Sequence, residues 1–241
     1  MKISIVIPAF NEEKLLASTL HAIHASGAAF TALGWTVEII VCDNNSTDAT
    51  ASVARASGAR VVFEPVNQIA RARNTGAAAA TGDWLLFVDA DSRPTPKLFA
   101  DVAHEIQTGR YLAGGCTVQM DQRSFFGDTG VRIWNLISRI TRWCAGSFIF
   151  CEAAAFRKIG GFNLALFASE EIDLSKRLKK LARQEGKKMV ILHRHPLLTS
   201  ARKVSLYTGR EYLRFFSRII LHPRKTVSTR ESCEVWYDGR R

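Results

Sequence analysis

Strand-like and helix-like patterns alternate through the first third of the chain, and that alternation is the strongest constraint on its fold. Short apolar runs at 3–7, 37–41, 60–63 and 84–88 read as strands. Between them, residues 12–29 place Leu15, Leu16, Thr19, Leu20 and Ile23 on one helical face. A second helix starts at Ser46-Thr47-Asp48 and stops at Gly58, and an Ala-rich third spans 68–80. Thr95-Pro96 opens another helix, with Thr as cap and Pro in the first turn. Such spacing predicts an α/β fold with a mostly parallel central sheet flanked by helices.

The second half is less regular. It predicts a strand at 114–120, a polar loop at 121–128, a helix at 131–143, a strand at 148–151 and a short helix at 153–159 stopped by Gly160-Gly161. An amphipathic helix follows at 171–185, then a strand at 188–192. No internal repeat or long linker divides the 241 residues. The expected division is one domain over 1–205, in halves of about 1–110 and 111–205, and an extension over 206–241.

Tyr212, Phe215, Phe216, Ile219 and Ile220 recur at helical spacing in that extension, with Arg210, Arg214 and Arg218 on another face. Such a basic amphipathic helix can lie on an anionic membrane, or pack on the domain or a second subunit as a homo-oligomer. The net charge of +11 gathers after Arg177 and suits nucleic acid, phosphate-bearing substrates or anionic lipid alike. The run at 3–7, stopped by Pro8, is too short for a signal-peptide core or a membrane span. A cytoplasmic protein is expected, soluble or peripheral on the inner face of the cell membrane. Cys42, Cys116, Cys144, Cys151 and Cys233 form no CxxC pair and read as reduced thiols.

Asp89-Ala90-Asp91 directly follows the buried strand pattern at 84–88. Ligands of open α/β sheets bind beyond the carboxyl ends of the strands. Two carboxylates there can share Mg²⁺ or Mn²⁺ with a substrate diphosphate. Asp43 ends the second strand, and Pro8, Phe10, Asn11 and Glu12 follow the first, so three strands deliver polar residues to one sheet edge. Turn residues are also ordinary at strand ends.

These segments resemble a known family. Ile5 to Glu13 (IVIPAFNEE), Cys42 to Thr50 (CDNNSTDAT) and Ala70 to Asp91 (ARARNTGAAAATGDWLLFVDAD) are similar to family 2 glycosyltransferases of the GT-A fold. So are Gly146 to Asn163 (GSFIFCEAAAFRKIGGFN) and Ser169 to Leu178 (SEEIDLSKRL). The motifs recur in order over about two hundred residues.

The resemblance implies a Rossmann-like sheet and inverting transfer from a nucleotide-sugar, commonly a UDP-sugar, to a hydroxyl. Pro8, Phe10, Glu12 and Asp43 would surround the nucleoside, with Arg71 and Arg73 near the base or diphosphate. Asp89 would support the donor sugar or the metal shell, and Asp91 would ligate Mn²⁺ or Mg²⁺. Glu171, where the family commonly has Asp, would be the base, with Glu170 and Asp173 orienting acceptor or protein groups around it. Gly146 lies in the part that supports the acceptor. Arg202 and Lys203 would clamp the diphosphate, and His193 or His195 would join the metal. A lipid-linked acceptor would give membrane contact a use.

Side-chain chemistry agrees with that scheme. A hydroxyl needs a base, and a metal-bound nucleoside diphosphate leaves without a protein acid. Acids also gather at helix N-termini for stability alone. A Gly-rich phosphate loop after the first strand is missing, which counts against a sugar nucleotidyltransferase and a dinucleotide dehydrogenase. A non-catalytic protein on the same fold, binding nucleotide-sugar or a membrane surface, remains open. A nucleic-acid binder would have no use for the acidic cluster.

Overall fold

The computed structural model describes residues 1–122, 125–202 and Thr229. Lys203 and the amphipathic pattern expected within 206–241 lie outside the described residues. The parallel block comprises β1 (Lys2–Ala9), α1 (Leu16–Thr31), β2 (Thr36–Asp43), α2 (Thr50–Ala56), β3 (Arg60–Phe63), α3 (Ile69–Ala78) and β4 (Trp84–Val88). After it come β5 (Ser92–Arg93), α4 (Pro96–Gln107), β6 (Tyr111–Met120), α5 (Phe125–Thr141) and β7 (Phe148–Glu152). The described chain closes with α6 (Ala153–Lys158), α7 (Glu170–Gln184) and β8 (Lys188–Thr199).

The strands form one sheet of order β3-β2-β1-β4-β7-β6-β8-β5. Strands β3, β2, β1 and β4 are parallel. β7 runs antiparallel between β4 and β6, and β8 returns parallel to β6. Side chains alternate across each strand. Ile3, Ile5 and Ile7 therefore face a core with Leu16, Leu20 and Phe30 of α1 and Leu98, Phe99 and Val102 of α4. Val6 and Phe87 face the opposite core, with Ala70 of α3, Phe156 of α6 and Leu174 and Leu178 of α7. Phe87 sits 5.2 Å from both the Phe156 and Phe162 rings. A Cβ at Gly76 would strike Val6, so its missing side chain lets α3 lie directly on β1.

β4 and the Thr95 cap match the expectation from sequence; the Thr95 hydroxyl accepts from the Leu98 amide at 3.2 Å. Other boundaries move for local reasons. α1 starts at Leu16 rather than near 12, because Asn11 takes φ 51° and the Glu12 carbonyl accepts from Leu15 and Leu16 in a turn. α2 starts at Thr50, since the Asp43 and Asp48 carboxylates accept from the Ser46 and Thr50 amides and hold 43–49 as a loop. The loop expected over 121–128 is partly helical, as α5 begins at Phe125. β8 continues past 192 to Thr199, where it pairs with Ser92.

Candidate active site

Parallel strands end on the same edge, and here they bring Pro8, Asp43 and Asp89 to it. Ala9 is in register with Asp43. Asp43 is buried, with its Oδ1 accepting from the Ser46 amide at 3.1 Å. Glu12 is also buried, and its amide donates to the Thr50 hydroxyl at 2.8 Å. Phe10 is half-buried beside it.

Arg73 organises the centre. Its side chain is fully buried, with its guanidinium carbon 5.2 Å from the centre of the Phe162 ring. Nη2 donates to Asp89 Oδ1 at 3.0 Å and to the Gly146 carbonyl at 2.8 Å, while Nη1 donates to Glu170 Oε1 at 2.6 Å. A buried guanidinium needs such partners. The adjacent carboxylates hold Arg73 in its charged form against burial, which acts the other way. Within the protein, Arg73 is thus enclosed between Asp89, Gly146 and Glu170. Arg71 donates from Nε to Gln68 Oε1 at 3.1 Å.

Glu171 is the neighbour that Arg73 does not bond. A Cβ on Gly146 would lie 3.7 Å from Glu171 Cγ and Cδ and 3.2 Å from Arg73 Nη2, so glycine lets the loop approach both. Burial, then the negative charge of Glu170, pushes the Glu171 carboxyl up to about 8. Asp173, one residue further on than Ile172, points to its own helix: Arg177 Nε donates to it at 2.8 Å.

The end of β8 crosses the same edge. The Ser200 amide donates to the Asp91 carbonyl at 3.2 Å, and Arg202 Nη2 donates to Glu12 Oε1 at 2.7 Å and Oε2 at 2.9 Å. Asp91 and Ser92 Oγ are 3.5 Å apart. Both histidines of β8 have surroundings of their own. His195 Nδ1 lies 2.9 Å from Asp101 Oδ2, and His193 lines a cavity of about 630 Å³ between α4, α5 and β8 that Asp101 and Glu105 also line.

Among the described residues no group of three or more His, Cys, Asp or Glu side chains is arranged to hold a metal ion. Asp89 and Asp91 offer only carboxylate oxygens at one edge, a set that suits a hard cation completed by substrate oxygens and water, and not an all-protein cage.

Several contributors escaped the sequence reading. Gln68 Nε2 donates to the Leu164 and Leu166 carbonyls at 2.9 Å each. Asn74 brackets Phe162, donating to its carbonyl at 2.9 Å and accepting from its amide at 2.8 Å. Their one signal is the placing of amide side chains within an Ala-rich helix.

The family model for glycosyl transferase family 2 matches residues 4–159. The chain belongs to that family. It is 39% identical over 114 residues to an uncharacterized glycosyltransferase of Mycobacterium bovis, covering 45% of this chain and 48% of that protein. It is 31% identical over 170 residues to an undecaprenyl-phosphate 4-deoxy-4-formamido-L-arabinose transferase of Klebsiella pneumoniae, covering 65% of this chain and 49% of the other. The chain thus spans about half the length of the curated relatives it matches. Among solved structures it resembles a mannosyltransferase from Pyrobaculum calidifontis in complex with GDP-Man and Mn²⁺. The TM-score is 0.67 at 19% identity, over 93% of this chain and 60% of that one. At that identity the likeness is one of fold, the GT-A α/β architecture with its mostly parallel sheet. No helix among the described residues is long and apolar enough to cross a membrane.

Proposed function

We propose that the protein is an inverting glycosyltransferase that moves a sugar from a nucleoside-diphosphate sugar to an acceptor hydroxyl. One observation carries the reading: Arg73 joins Asp89, at the end of β4, to Glu170 and Gly146, which sets Glu171 against the same edge. Pro8, Phe10, Glu12 and Asp43 hold the nucleoside, and Arg202 exchanges Glu12 for the diphosphate. Asp91, with Asp89 behind it, would hold a Mn²⁺ or Mg²⁺ ion. Such an ion offsets charge on the departing diphosphate.

Glu171 takes the acceptor proton as the oxygen attacks the anomeric carbon from the face opposite the leaving group. A carboxyl held up to about 8 is well matched to that step near neutral pH. A phosphate oxygen would need no base, so Glu171 favours a hydroxyl acceptor over a lipid phosphate. The Klebsiella relative is named for a lipid phosphate, which supports a lipid-linked acceptor but does not itself speak for a hydroxyl.

Calorimetric titration of UDP and GDP, with Mn²⁺ and then with EDTA, tests the donor site on wild type and Asp91→Ala. We expect metal-dependent binding, with UDP the tighter, that is lost in the variant. The GDP-Man of the Pyrobaculum neighbour makes GDP the relevant competitor. No binding of either nucleotide would sink the reading.

A further inference from the structure

Helix α5 carries apolar side chains on two opposite faces, and the fold covers one of them. Val131 and Trp134 pack on the core. Asn135 accepts from the Val118 amide at 3.0 Å and donates to its carbonyl at 2.9 Å, and Ser138 is buried. At 3.6 residues per turn these positions share one side.

Ile133, Leu136, Ile137 and Ile140 form the opposite side, spaced i, i+3, i+4 and i+7. They are 56%, 59%, 38% and 71% exposed, and Leu136 and Ile140, with Arg139 and Arg142, also form the α5 wall of the open cavity that His193, Asp101 and Glu105 line. Arg132 and Arg139, seven residues apart and both exposed, stand together along one flank of this stripe. Arg142, just beyond the helix, is exposed as well. An apolar strip edged by arginines matches a helix lying in a lipid interface, with the guanidinium groups reaching up to headgroup phosphates.

We propose that the outer face of α5 docks the protein on an anionic bilayer. Charge decides against a second copy of the chain. Two such stripes packed antiparallel would crowd like-charged arginine flanks, and packed parallel would leave both flanks without a counter-charge, whereas anionic headgroups neutralise them. Four side chains on one helix also fall short of the roughly 800 Å² per partner that a stable dimer covers.

Trp143, Cys144 and Ala145 lead from α5 into Gly146, whose carbonyl accepts from Arg73. A docked α5 therefore holds the acceptor side of the cleft beside the lipid surface. The proposal goes beyond the glycosyl-transfer reading and stands without it.

Co-sedimentation of the full chain with phosphatidylcholine vesicles, with and without phosphatidylglycerol, tests it in the absence of any donor. The expected result is binding to the phosphatidylglycerol vesicles that falls about tenfold or more in Ile137→Glu/Ile140→Glu. Arg132→Gln/Arg139→Gln should lose most of the preference for phosphatidylglycerol. Both pairs are exposed, so thermal melting should confirm that the variants fold, and nucleotide titration of the same variants reads the donor site separately. Wild type that ignores the vesicles overturns the proposal. So does binding that survives in Ile137→Glu/Ile140→Glu, because the contact then lies elsewhere. A concentration-dependent dimer in analytical ultracentrifugation that the same variant abolishes would assign the stripe to a second copy instead.

Discussion

The parallel block from β1 to β4 and the later stretch from β6 to α7 contribute to one cleft in different ways. In the first, backbone direction does the placing. Parallel strands must end on one edge, so Pro8, Asp43 and Asp89 arrive together once Ala9 is paired with Asp43. In the second, β7 runs the other way, and Gly146, Glu170 and Glu171 come from a loop and a helix start. Three side chains of one segment of the first block tie down this later stretch: Gln68 on the carbonyls of 164 and 166, Asn74 on Phe162, and Arg73 on Glu170 and Gly146. The parallel block should therefore tolerate change at its strand ends far better than the later stretch tolerates change in α3.

Replacing Arg73 breaks that tether most completely. Arg73→Met keeps the apolar stem but leaves Glu170 buried without its cation. We expect a loss of about 3–5 kcal/mol in urea unfolding. Arg73→Lys should recover only part, since one ammonium cannot fork between Asp89 and Glu170. A loss below about 1 kcal/mol for Arg73→Met would mean that the two blocks are joined elsewhere.

Glu171→Gln sharpens the contrast inside the cleft. It should lower kcat for transfer to a hydroxyl acceptor about 10²–10⁴-fold and leave nucleotide affinity nearly unchanged, because the donor residues come from the other block. Comparable losses in both would show that the division of labour is wrong.

The same division explains what could be read in the sequence. Trp84–Val88 and the Thr95 cap were legible because an apolar run and a capping hydroxyl are local signals. The four parallel strands and the acidic edge followed from their periodicity. The bonds from Arg73 to Glu170 and Gly146 are not legible, because they span 97 and 73 residues and no local pattern records them. β8 was cut short at 192 because His193, Arg194, His195 and Pro196 interrupt its apolar run; pairing with β6 and β5 carries it on. The contact between His195 and Asp101, 94 residues apart, likewise leaves no local trace.

Asn74→Ala is the next step down. Its side chain satisfies both backbone groups of Phe162, so removal should cost about 1–3 kcal/mol, read in the same urea titration. Unchanged stability would mean that water replaces both bonds.

Titration of Glu171 gives a prediction with a sign. Its carboxyl rises from 4.5 to about 8 on folding, so the folded state keeps a proton that the unfolded chain has lost between those values. Its contribution to stability is complete below 4.5 and is lost as pH rises through about 8. Activity runs the opposite way, because the base must be ionised. kcat/KM should fall about tenfold per pH unit below that point, and the limb should be missing in Glu171→Gln. A profile flat from pH 5 to 8 would take the proton away from Glu171.

Asp173→Asn should do the least, and for that reason it tests whether the first turn of α7 acts as one acidic patch or as separate groups. Glu170, Glu171 and Asp173 share that turn and its helix-end field. Their partners differ: Glu170 has the buried Arg73, Glu171 has burial and a like charge, and Asp173 has Arg177 one turn on, with both side chains about one-third exposed. A solvent-screened i,i+4 pair contributes about 0.3–0.5 kcal/mol, so Asp173→Asn should shift urea unfolding by no more than that. Arg177 would keep its second anchor, the Ile159 carbonyl at 2.8 Å. Asp173 is expected to orient acceptor or protein groups, and its ion pair with Arg177 supplies a protein group. A drop in kcat of tenfold or more with stability intact would give it the acceptor role, and would show that the cleft reaches further along α7 than Glu171.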